Sequence, residues 1–195
     1  MGFWLNLYAE RRTENGWAPI GPTVERTGPG YDHPVLEPMR IIDRDKDYEQ
    51  SAVLMGLFGR EDINPVTRRR GLPADLSDVL ATWYEIEAAY EGMEGWLMLT
   101  ELLEHDWDQS VEKRERVHPE LVSLIPAPPQ QLTKDLIRDL RAGWQPREWV
   151  DPDDYEPVQW VISHRDLISS DLLDEVVPRL LNENRASDIR LIFWF

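Results

Sequence analysis

The last seven residues constrain the fold most. Ile189, Leu191, Phe193 and Phe195 alternate with Arg190, Ile192 and Trp194. A period of two gives a strand whose first face is wholly apolar and whose second is nearly so. Such a strand needs cover on both sides and neighbours on its edges. The start of the chain repeats the pattern: Phe3, Leu5 and Leu7 alternate with Trp4, Asn6 and Tyr8. A third alternation, Val158, Trp160 and Ile162 against Gln159, Val161 and Ser163, lies upstream of the last strand. These three strands are expected in one mixed sheet of an α+β domain spanning residues 1–195.

Punctuation residues divide the rest. Glu14-Asn15-Gly16 offers a residue pair suited to positive φ, so a hairpin should return through Trp17 and Ile20. Pro19 and Pro22 confine that return to a sheet edge. Residues 21–38, rich in Gly and Pro, read as a loop. A helix is expected over 45–58, with Tyr48, Ala52 and Met55 on one side, Leu54, Leu57 and Phe58 widening the stripe, Asp43 or Asp45 as cap and Gly59 as stop. A second should begin near Asp75 or Ser77, bury Val79, Trp83, Ile86 and Tyr90, and end at Gly92 or Gly95.

Trp96–Leu99 is a short apolar run, after which Thr100 can cap a helix through Trp107. Residues 108–120 are highly charged and residues 126–129 hold three prolines. An excursion or linker is therefore expected around 108–131. Thr133 should cap another helix, with Leu132 and Ile137 as a hydrophobic staple and Leu136, Leu140 and Trp144 facing inward. A final helix, capped by Ser169 or Ser170, should bury Leu173, Val176, Val177, Leu180 and Leu181, with Pro178 kinking it near Asp174. Strand, helix and strand over 158–195 suggest a right-handed βαβ unit or part of a split one.

Charge and composition narrow the function classes. The chain has 195 residues, no cysteine, nine tryptophans and a net charge of −16. Without cysteine there is no disulfide, thiolate metal site or cysteine nucleophile. No window approaches the roughly eighteen apolar residues of a membrane span, and Met1–Tyr8 has no signal-peptide pattern, so a cytoplasmic protein is expected. Residues 1–70 hold 10 Lys and Arg against 11 Asp and Glu, whereas residues 71–195 hold 11 against 26. A field of that sign repels nucleic acid and anionic membranes and favours basic partners. An anion site belongs in the near-neutral first third.

Four constellations bear on chemistry. Arg68-Arg69-Arg70-Gly71 is the densest positive cluster, and arginine forks match phosphate or carboxylate oxygens. The same arginines could instead pair with nearby acids. Glu101 and His105 share a helix face and could hold a metal ion only with a third ligand. His164 and Asp166 close a strand, where a base and its orienting carboxylate could sit, or where a polar strand exit suffices. Tyr31, in a Gly/Pro loop with Asp32 and His33, could line a pocket. No phosphate loop, nucleophile elbow or dinucleotide fingerprint occurs. No catalytic residue, metal or cofactor is therefore assigned.

One ordered set of motifs spans nearly the whole chain. It comprises Asp43-x-Asp45-x-Asp47-Tyr48 leading to Leu54-Met55-Gly56, then Arg70-Gly71-Leu72-Pro73-x-Asp75-x-Ser77, then Trp96-Leu97-x-Leu99-x-Glu101-Leu102. Ser163-His164-Arg165-Asp166 and Arg190-Leu191-Ile192-Phe193-Trp194-Phe195 complete it. This set resembles an uncharacterised family of small proteins of phages, prophages and some bacterial genomes. Relatives in that family often carry a histidine-serine pair before the Trp-Leu run, where this chain has Gly92-Met93-Glu94-Gly95. The resemblance implies a non-enzymatic accessory protein in the host cytoplasm, with a counter-defence role.

Two binding readings follow. One is an anionic small molecule, such as a nucleotide signal, held by Arg68, Arg69, Arg70 and Gly71 with Tyr31 or Trp96 stacking on a base. The other is an acidic interaction module, an inhibitor or nucleic-acid mimic, that meets a basic host protein. Neither involves direct nucleic-acid or membrane binding, and homo-oligomerisation stays open.

Overall fold

Leu5, Leu7 and Ala9 alternate with Asn6, Tyr8 and Glu10, and both sets are buried. The two-sided N-terminal strand is therefore real, and its neighbours explain the burial. The computed structural model describes residues 4–45, 48–56, 62–87, 93–122, 124, 150–168, 170–182 and 184–194. In chain order its elements begin β1 (Trp4–Thr13), β2 (Gly16–Pro19), β3 (Thr23–Arg26), β4 (Val35–Pro38), β5 (Ile42–Asp45), α1 (Tyr48–Met55) and α2 (Asp78–Glu87). They continue β6 (Gly95–Met98), α3 (Leu99–Glu104), β7 (Ser110–Val117), α4 (Pro119–Val122), β8 (Glu156–Ser163), α5 (His164–Leu167), α6 (Val177–Leu181) and β9 (Ile189–Trp194). Residues 1–105 with 168–195 form one compact unit, and residues 106–167 form a second.

In the first unit β1 pairs antiparallel with β9 along one edge, over Asn6–Arg11. Its other edge pairs with β2 over Glu10–Thr13 and with β5 over Trp4–Leu7. Between these stretches the Ile20 and Ile41 N–H groups donate to the Ala9 and Leu7 carbonyls at 2.8 and 2.7 Å. β6 lies outside β9, so the order is β2-β1-β9-β6 with β5 beside β1. The N- and C-terminal strands share this sheet, as the twin alternations imply. All of its pairings are antiparallel, where a mixed sheet was expected.

Cross-strand partners share a face. Leu7, Phe193 and Gly95 therefore stand on one side, with Leu97 and Leu191. Tyr8, Ile192 and Trp96 stand on the other, with Glu10 and Arg190. Met55 of α1 reaches the first face at Gly95. α2 covers the second, where Leu80 and Trp83 pack with Tyr8, Val35, Ile192 and Trp194.

Gly95 has a packing reason. A Cβ there would lie 2.6 Å from Phe193 Cε2 and 2.8 Å from Met55 Sδ. The Phe193 ring covers an edge-strand glycine, a known way to pin register. Gly95→Ala is expected to destabilise by roughly 1–3 kcal/mol through overpacking, measured by urea unfolding. Wild-type stability in this variant would mean that the ring moves aside without cost.

Several expectations need correction. The strand at 158–163 leaves the main sheet: β8 pairs antiparallel with β7 in a separate two-stranded ribbon. No βαβ unit therefore links β8 to β9. Most of the charged stretch 108–120 is the strand β7, Ser110–Val117. Its Val111 and Val117 are buried, while Glu112, Arg114 and Arg116 are exposed, so the outward charges conceal a half-buried strand. The loop expected over 21–38 contains the hairpin β3/β4, whose Val35 packs against the α2 cluster.

The buried stripe of α2 is also shifted. Ile86 is 44% exposed and Val79 half-buried, whereas Leu80 is fully buried beside Trp83. The stripe keeps Trp83 but swings toward Leu80 and away from Val79 and Ile86. The cause is the start of the helix. Glu10 Oε1 accepts the Ser77 N–H at 3.0 Å, and Ser77 Oγ accepts from the Leu80 N–H at 3.4 Å.

α3 begins at Leu99 rather than after Thr100, and it ends at Glu104, short of Trp107. Near Pro178 the expected distortion is a π-turn over Leu172–Val176, closed by the Val177 N–H donating to the Leu172 carbonyl. Leu172, Val176, Val177 and Leu180 are buried there, and Leu173 and Leu181 only partly. Phe3, Leu57, Phe58, Gly59, Tyr90, Gly92, Phe195 and the helix expected from Thr133 through Trp144 lie outside the described residues. Among the described residues no helix is long and apolar enough to cross a membrane.

Candidate functional site

The arginine run follows a segment that returns to the end of α1. The Val66 and Thr67 N–H groups donate to the Val53 and Leu54 carbonyls at 2.8 and 3.1 Å, which fixes the entry to the run. Neighbouring side chains of an extended segment point apart, so three consecutive arginines must divide. Arg70 turns back. Its Nε donates to the Trp96 carbonyl at 3.1 Å, and its Nη2 donates to Thr67 Oγ1 at 2.5 Å and to both Glu101 oxygens at 2.5 and 2.6 Å. Its guanidinium also lies 4.3 Å from the Trp96 ring centroid. Arg68 and Arg69 are exposed, and their side chains find no ion pair or hydrogen bond among the described residues. Gly71 follows at φ +70°, with open space where a Cβ would stand.

Trp96 and Tyr31 border one cluster. Both are half-buried and, with Leu72 and Tyr84, pack against Tyr8, Val35, Leu80, Trp83, Ile192 and Trp194. The cluster has ordered rings: Tyr8 stacks on Trp194 at 4.4 Å and Tyr84 meets Trp194 edge-on at 5.4 Å. The structure thus brings Arg70, Trp96 and, through the cluster, Tyr31 toward one side of the sheet. One face of Trp96 is taken by Arg70.

Two polar networks lie on this sheet face beyond the residues singled out from the sequence. In the first, the Tyr8 hydroxyl donates to Glu87 Oε2 at 2.6 Å, and Trp83 Nε1 donates to the same oxygen at 2.8 Å. Arg40 pairs with Glu87 and donates through Nε to the Tyr8 hydroxyl at 3.2 Å. Burial, followed by the hydrogen bond to Glu87, raises the Tyr8 phenol well above its ordinary value, so it stays protonated as a donor. The Trp83/Glu87 spacing of i, i+4 was the available signal.

In the second network Arg190, only 2% exposed, donates to Glu10 Oε2 at 2.8 Å and to Asp75 Oδ1 at 2.5 Å. It also stacks on Trp17 at 4.1 Å, and Trp17 Nε1 donates to Asp75 Oδ2 at 2.9 Å. The Arg190 hydrogen bond holds the Asp75 carboxyl below its usual range. The signal here was Glu10 and Arg190, opposite charges within the two terminal strands.

Comparison of the chain with protein-family models, curated proteins and solved structures gives no match.

Glu101 is held by Arg70, and its Oε2 also accepts the Met98 N–H at 2.7 Å. No group of three or more His, Asp and Glu among the described residues could hold a metal ion. In the second unit, Asp166 engages Ser163 at the start of α5. Its Oδ2 accepts from the Ser163 N–H at 2.9 Å and from Ser163 Oγ at 2.7 Å, and Ser163 Oγ accepts the Asp166 N–H at 3.3 Å. That reciprocal arrangement is a capping box for α5.

His164 is buried, and burial lowers its pKa while the Asp106 charge opposes the shift. The unfolded chain therefore takes up the proton first as pH falls. The neutral imidazole contributes its stability in full above about pH 6.5, and that contribution declines as pH drops from there toward the folded value. Urea unfolding of the wild type should show this loss, and His164→Gln should flatten it. An unchanged acid slope in the variant would assign the loss to other groups.

Proposed function

We propose that the chain is a non-enzymatic binding protein for an anionic small molecule of the nucleotide class, engaged through phosphate at Arg68 and Arg69. The observation that carries this reading is the pair itself. In a chain of net charge −16, two adjacent arginines stand exposed with no ion-pair partner among the described residues. Acids are abundant, so two arginines in the near-neutral third with no ion-pair partner among the described residues are a local positive field to which phosphate oxygens fit bidentately. Gly71, free of a side chain, leaves room beside it.

Arg70 is a fixed support in this reading, because its donors already serve Glu101, Thr67 and the Trp96 carbonyl. With one face of Trp96 covered, phosphate supplies more of the affinity than base stacking. A binding role is favoured over hydrolysis because Asp166 and Glu101 are both committed to local structure. The phage or prophage setting and a counter-defence role, implied by the motif resemblance, belong to the same proposal. The second reading, an acidic module for a basic protein, is favoured by the concentration of negative charge in residues 71–195.

Calorimetry with nucleoside mono-, di- and triphosphates separates the roles of the three arginines. Arg68→Ala or Arg69→Ala should remove a charge-assisted hydrogen bond worth about 1.5–3 kcal/mol, and so weaken binding roughly tenfold to hundredfold. Both side chains are exposed, so thermal stability should not change. Equal affinity in the wild type and both variants would refute the site.

A further inference from the structure

We propose that Arg70 and Glu101 act together as a guard on the open edge of the main sheet, and that releasing them exposes a docking edge for β6 of a second copy of this chain. Among the described residues β6 is the terminal strand of the sheet, paired with β9 alone. Such an edge presents unpaired N–H and C=O groups that template strand addition. On an extended strand, residues two apart direct these groups to the same side. Here Arg70 Nε donates to the Trp96 carbonyl at 3.1 Å, and Glu101 Oε2 accepts the Met98 N–H at 2.7 Å. The two side chains are joined to each other at 2.5 and 2.6 Å.

The ion pair therefore presents one donor and one acceptor to the strand, as the next strand of a ladder would. Arg70 is anchored further by Thr67 and by the Trp96 ring. The committed occupant is β6 of another copy, running antiparallel. About a two-fold axis at Leu97, Trp96 of each copy meets Met98 of the other, so the acceptor and donor vacated by Arg70 and Glu101 satisfy one another. The pairing is isologous, which closes it at two copies.

The test uses Arg70→Ala and Glu101→Ala, two independent ways to open the same edge, with Arg68→Ala as a control outside the guard. Light scattering after size exclusion should give a concentration-dependent rise in mass for both guard variants above the wild type, and none for the control. Adding Met98→Pro to either variant should abolish the rise. Met98 has φ −74°, which suits proline, and its N–H donates to Glu101 as part of the capping box of α3, so the substitution removes that donor together with the cap bond. Hydrogen exchange on the unmodified protein should find the Met98 amide protected, with that protection lost in monomeric Glu101→Ala. Guard variants with wild-type mass at every concentration would overturn the proposal. So would association that survives Met98→Pro. An unprotected Met98 amide in the unmodified protein would overturn it even if both variants failed to fold.

Discussion

Arg190→Ala is expected to cost about 3–5 kcal/mol of folding stability. The guanidinium is 2% exposed and the facing Glu10 carboxylate is fully buried. Removing Arg190 strands that carboxylate in the core with only the Ser77 N–H as a described donor. It also breaks two hydrogen bonds to Asp75 and uncovers one side of Trp17, so the segment leading into α2 is tied less firmly to the sheet. The stranded charge dominates. Adding Glu10→Leu to Arg190→Ala should therefore recover much of the loss, since apolar replacement of a buried ion pair is often near neutral. Urea unfolding of both single variants and the double variant reads the coupling. A loss below about 1 kcal/mol for Arg190→Ala would mean that water reaches Glu10.

Phe193→Ala should cost about as much, roughly 3–5 kcal/mol, as a large core aromatic does. Phe193 is fully buried on the apolar face, opposite Leu7 on one side and Gly95 on the other. Its removal opens space over Gly95 on the Phe193 side, leaving Met55 Sδ as the remaining close neighbour of a Cβ there. Gly95→Ala should consequently be harmful in the wild type and partly restorative in Phe193→Ala. Additive losses from the two substitutions would contradict the packing argument.

The main sheet was legible at its ends because both terminal strands are apolar on two faces, and period two is unambiguous there. β7 was hidden because an exposed face of Glu112, Arg114 and Arg116 outweighs two inward valines in any local reading. The partner of β8 was missed for the same reason: with β7 unseen, the only known strands left for it were those of the main sheet. The stripe of α2 was misplaced, with Val79 and Ile86 given a burial that Leu80 takes, because Glu10, far away in sequence, holds the start of the helix at Ser77. Of the candidate site, the arginine cluster and Trp96 were visible as residue types. The division of labour among the arginines was not, since it depends on Glu101 and the edge of β6 meeting Arg70 across a long stretch of chain. The Tyr8, Trp83, Arg40 and Glu87 network required the same long-range information.

The most direct measurement of the binding account is native mass spectrometry of the protein isolated from its own cell, run beside the Arg68→Ala/Arg69→Ala double variant. The account requires a nucleotide-sized anionic adduct on the wild type that is absent from the double variant, with both proteins folded. A basic protein partner retained equally by both, with no small-molecule adduct on either, would contradict it and favour the acidic-module reading instead.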